Sequence, residues 1–149
     1  MKTITKFSLF KITFALIICV LTFSCKTNNQ LTEKQAVKVA EQFIIDNGYT
    51  NMPANKSKLS YELYDQLENN MDSILNQRYN ILQPKAFCIS EDEDKWNVGF
   101  LSVGVNLNKL DSMEQNDDVS GQAVIVMKEG KEIRIAHKDP VFSRFKKLQ

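Results

Sequence analysis

Apolar positions along the chain fall into three regimes: an unbroken run near the start, helical spacing through the first half, and strand-like alternation in the second. The run is Ile12 to Phe23, preceded by the basic stretch Met1 to Lys11 and followed by small Ser24 and then Cys25. Helical spacing begins with Ala36, Val37, Ala40, Phe43 and Ile44, which recur every three or four residues and form one apolar stripe. Thr32 stands where a cap belongs, Gln35 can return the bond, Leu31 can staple onto Ala36, and Gly48 supplies a left-handed stop. Together they predict a helix between Thr32 and Gly48.

Asn51 to Lys58, with Pro53, reads as a loop. Leu59, Tyr61 and Leu63 then alternate as in a strand, while Leu63, Leu67, Met71, Ile74 and Leu75 continue at helical spacing. The expectation is a short strand at 59–63 and a helix from about Asp65 to Tyr79, with Pro84 ending the helical half. Beyond it, Ala86–Ser90 and Trp96–Val105 flank the acidic turn Glu91-Asp92-Glu93-Asp94. Ala123–Lys128 and Glu132–His137 flank Glu129-Gly130, a hairpin signal. Ala123 to Met127 is apolar on both faces, as a central strand requires. Ile133 and Ile135 alternate with Arg134, which predicts one solvated face. Asn106 to Ser120 is a long polar loop, and Val141 to Leu148 reads as a short helix packing Phe142 and Phe145. Helices followed by an antiparallel meander predict an α+β domain, its N-terminal helices packed on a curved four- or five-stranded antiparallel sheet.

The three-part start is the layout of a secretory signal. As a helix its apolar run reaches only ~18 Å, short of the ~30 Å bilayer core, which argues against a permanent membrane span. Leu21-Thr22-Phe23-Ser24-Cys25 resembles a bacterial lipobox, with Thr22 where Leu is usual and a small residue kept before the Cys. The resemblance implies cleavage after residue 24, a thioether-linked lipid on Cys25 and membrane attachment through it. At roughly 0.8 kcal/mol per buried CH2, several acyl chains make such an anchor effectively permanent. Lys26 after the Cys, rather than Asp, implies outer-membrane delivery in a two-membrane cell. The expected organisation is a signal peptide over 1–24, a lipidated tether over 25–31 and a single domain over 32–149 in the cell envelope.

Charge and cysteine content follow from that division. The first 24 residues hold Lys2, Lys6 and Lys11 and no acid, so of 19 basic side chains 16 remain against 18 acidic ones, a net charge of −2. Such a balance argues against a nucleic-acid partner. With Cys19 leaving in the signal and Cys25 lipidated, Cys88 is left alone in the mature domain, so no internal disulfide framework is expected and a buried inert thiol is the simplest reading.

Candidate chemistry is sparse. His137, in Ile135-Ala136-His137-Lys138-Asp139, falls on the face of Ile133 and Ile135. A single His cannot build a multi-His zinc site, and no Gly-x-Ser-x-Gly marks a nucleophile for a His–Asp pair. Its alternatives are a structural role or a shared site with a carboxylate. The Glu91–Asp94 run and the acidic loop with Asp111, Glu114, Asp117 and Asp118 lack a calcium-loop pattern and read as solvated turns. Trp96 and Tyr49, Tyr61, Tyr64 and Tyr79 would line a pocket between helices and sheet or fill the core. We expect no catalytic constellation, metal or cofactor. His137, Asp139, Trp96, Asp117 and Asp118 are the candidate binding residues for a protein or small-molecule ligand.

The mature domain also resembles small exported or toxin-associated bacterial domains of the nuclear transport factor 2-like (NTF2-like) type, immunity-type members included. The segments that carry this are Ala40 to Thr50, Arg78 to Phe87, Trp96 to Phe100, Gly121 to Val124 and Arg134 to Asp139. The resemblance implies an NTF2-like or cystatin-like cone with a binding or accessory role, and it transfers no active site. A small hydrolase or isomerase using His137 with a carboxylate is the alternative that such folds permit.

Overall fold

The computed structural model describes residues 30–62, 65, 70–106, 119–138 and 140–148. Helix α1 (Glu33–Asp46) and helix α2 (Met71–Arg78) precede strands β1 (Leu82–Glu91), β2 (Lys95–Ser102), β3 (Gly121–Met127), β4 (Ile133–Ile135) and β5 (Lys146–Lys147). The strands form one antiparallel sheet in the order β4-β3-β2-β1-β5. The fold is α+β, as its pattern of periodicities predicts.

Helix α1 begins and ends as its sequence requires. The Thr32 hydroxyl accepts from the Gln35 N–H at 3.4 Å, and Gln35 Oε1 accepts from the Thr32 N–H at 2.9 Å. Gly48, at φ 81°, closes the other end, its N–H bonded to the Ile45 carbonyl. A side chain there would be strained, and its Cβ would meet Leu75 Cδ2 at 2.7 Å. Ala36, Ala40 and Ile44 are fully buried on Trp96, Val98, Phe100, Val124 and Val126, the alternate residues of the two central strands. The apolar stripe and the strand alternation are thus two halves of one core.

The other sheet face holds a second cluster of Phe87, Cys88, Leu101 and Phe142. A bulge creates it: Ala86 opposes Phe100 but Cys88 opposes Gly99, so β1 carries an extra residue. Phe87 and Cys88 consequently join the same cluster. Gly99 leaves room for the Phe142 ring, whose Cε1 would lie 2.8 Å from an added Cβ. Burial pushes the Cys88 thiol up to about 12, so it is an inert packing group.

Three local expectations are corrected. The tail is not a helix: a 3₁₀ turn (Phe142–Arg144) leads into β5, which pairs with Cys88 and Ile89. An open strand edge there outweighs the three-residue spacing of the phenylalanines. Residues 59–62 form no strand, and their polarity is inverted, since Tyr61 is exposed while Glu62 is buried. Finally, β1 starts before Pro84, which is tolerated where the β1–β2 register is irregular and β5 does not reach. Residues 66–69 of the longer expected helix lie outside the described residues.

Candidate binding site

Beyond the C-terminal end of α1 the sheet face turns polar. Arg78 ends α2 one turn after Ile74, and both are buried, so the helix places a guanidinium on its inward stripe. The Arg78 guanidinium lies 4.8 Å from the Tyr49 ring centroid. It donates to the Asn47 carbonyl at 3.4 Å, to the Ser60 carbonyl at 2.9 Å and, in a close ion pair, to Asp65. Asp65 also accepts from the Glu62 N–H at 2.6 Å. A buried pair of this kind is held by its extra hydrogen bonds, because Coulomb attraction alone rarely offsets desolvation.

Between this cluster and the ends of β3 and β4 lies a cavity of about 240 Å³, lined by Tyr49, Glu62, Arg78, Gln122, Ile135 and His137 among others. The Glu62 carboxylate accepts from the Ile135 N–H at 3.4 Å. Burial is the main cause that holds its carboxyl above the usual range, against the opposing pull of that N–H, Arg78 and His137. Burial likewise pushes the Tyr49 phenol up, so it stays protonated. Gln122 Oε1 is sealed from solvent with no hydrogen-bond partner among the described residues. An orphaned buried acceptor costs about 1–3 kcal/mol.

Of the two candidate residues that are described, His137 and Trp96, His137 reaches this cavity, at its exposed rim with Lys138. Among the described residues no hydrogen bond joins His137 to Glu62 or Asp65. Trp96 sits in the core under α1, its Nε1 donating to the Leu31 carbonyl at 2.9 Å and its ring 5.3 Å from Lys128 Nζ. Asp117, Asp118 and Asp139 lie outside the described residues, as do Cys25 and residues 1–24. The acidic turn is engaged with cations: Glu91 pairs with Lys128 at 2.7 Å and Asp92 with Lys95 at 3.6 Å. Among the described residues no group of His, Cys, Asp or Glu is placed to hold a metal, and no helix is long and apolar enough to cross a membrane.

Sequence reasoning did not single out Arg78, Glu62, Asp65 or Gln122. Arg78 had a signal, being the charged member of the Met71–Ile74–Arg78 stripe. Glu62 and Gln122 had none: Glu62 is a polar residue between alternating apolar ones, and Gln122 stands at the edge of a continuous apolar run. No family model matches the chain, and neither a curated protein nor a solved structure matches it.

Proposed function

We propose that this chain is a lipid-anchored cell-envelope protein whose domain is a non-enzymatic binding module, with the cavity beside Arg78 as its ligand site. The observation that carries the binding reading is the incomplete polar lining: a buried Glu62 carboxyl, with no ion-pair partner among the described residues, lines a hollow that the protein's own side chains do not fill. Polar groups convergent on a small concave site are the usual dress of a ligand pocket. The NTF2-like or cystatin-like cone belongs to this reading, supported by helices that precede an antiparallel meander.

Chain geometry suits an anchor. The Leu31 N–H bonds the Lys128 carbonyl at 2.7 Å, so the start of the domain is fastened at the hairpin end of the sheet. The cavity lies at the other end of β3, near Gln122, about 20 Å away along a strand rising ~3.4 Å per residue. A lipid on Cys25 would hold the hairpin end toward the bilayer and leave the cavity facing away. The test is the intact mass of protein recovered from the native membrane fraction, beside Cys25→Ala. A chain starting at Cys25 with acyl groups, absent in the variant, is expected. An unmodified chain retaining residues 1–24 overturns the anchor.

One observation favours the enzymatic alternative: His137 lines the same cavity as Glu62 and acts on its charge. Turnover of a panel of small esters that disappears in a folded His137→Ala variant would establish it in place of pure binding.

A further inference from the structure

We infer that the cavity takes a small amino-carboxylate, its ammonium group against Glu62 and its carboxylate at the rim beside His137 and Lys138. This rests on reading the cavity as a ligand site, and it follows from which polar groups are already engaged. Arg78 would be the natural deep anchor for an anion, but Asn47, Ser60 and Asp65 take three of its five donors, and Asp65 pairs with its charge. Among the described residues Glu62 makes no ion pair: Arg78 and His137 act on its charge without bonding it, and the bond it accepts is the long one from the Ile135 N–H. Arg78 is thus committed to Asp65, the Glu62 carboxyl is left as the group without a paired cation, and an ammonium brings three donors and no acceptor.

The rim has the opposite character. His137 and Lys138 are exposed there, and both can donate to an anion. Gln122 also lines the cavity. Charge thus runs from negative inside to positive outside, complementary to a zwitterion entering ammonium first. Volume limits the ligand. At ~30 Å³ for each water-sized group, 240 Å³ admits roughly eight such groups, enough for an amino acid with a short side chain. A nucleotide or an oligosaccharide could place only part of itself inside.

The test is amide-resolved NMR titration of the full chain in detergent micelles with glycine, methylamine, acetate and glycerol in separate arms. Glycine is expected to shift Gln122, Ile135 and Ala136, with methylamine weaker and acetate and glycerol silent. Glu62→Gln, its spectrum elsewhere unchanged, should weaken glycine by about 30-fold or more, as loss of one partner of a buried charge pair does. Lys138→Ala alters only an exposed residue, so its fold is not at stake. It should weaken glycine about threefold and leave methylamine unaffected. Acetate or glycerol binding as well as glycine would keep the cavity as a ligand site and overturn the ammonium assignment. Silence in all four arms would overturn both.

Discussion

Beneath α1 the sheet face is a closed apolar contact: Ala36, Ala40 and Ile44 meet Val98, Phe100, Val124 and Val126, all fully or almost fully buried. A short step along the same face, at Gln122 and Ile135, it becomes a buried cluster of Arg78, Asp65, Glu62 and Tyr49 around a hollow. The first region is satisfied by non-directional packing, so its parts are interchangeable with others of similar volume. In the second, each polar atom needs a particular partner at a particular distance, and we assign the Glu62 carboxyl to a molecule from outside. One sheet face therefore holds both what keeps the chain folded and the place we assign to function.

Arg78→Met sharpens that contrast most. It leaves the Asp65 carboxylate buried without its cation and should cost about 3–5 kcal/mol by urea denaturation. Arg78→Met combined with Asp65→Leu should recover most of the loss, since replacing both partners removes the stranded charge. A single variant of near wild-type stability would mean that the pair is screened by solvent and the two regions differ less than their geometry implies.

In the apolar region, Ile44→Val removes one methylene from a fully buried side chain and should cost only about 0.5–1.5 kcal/mol in the same assay. Amide shifts around Gln122 should stay in place. Shifts that moved with the core would join the two regions into one unit.

The smallest effect is a dependence on pH. Burial raises the Glu62 carboxyl above its ordinary value of 4.5, so the folded chain holds that proton more tightly than the unfolded chain. Stability is then lost as pH rises from the ordinary carboxylate range through the raised folded value. Glu62→Gln cannot ionise, so it should gain on the wild type across that window and show no such gain at lower pH. Parallel stability curves for the two proteins would place the wild-type carboxyl in water.

Much of the first region was legible from residue order. The Thr32–Gln35 cap, the Ala36–Ile44 stripe and Gly48 are all local, and a helix obeys local rules. The alternation in β2 and β3 reports a buried face in the same way. The cavity was not legible, because its members come from distant segments at positions 49, 62, 65, 78, 122 and 137 and no spacing links them. Glu62 even reads as an exposed residue beside Tyr61, until the Ile135 N–H and the Asp65 pairing turn it inward.

By itself the sequence determined the α+β class, the capped first helix, the hairpin at Gly130, the isolation of Cys88 and the acidic balance of the part after residue 24. Periodicity, caps and counts do not depend on what a segment meets. Tertiary structure decided that the tail closes the sheet edge as β5, that the bulge at Phe87 opens a second cluster, and that Arg78, Glu62 and Gln122 converge. Those outcomes depend on desolvation and partner geometry, which exist only once remote segments have been brought together.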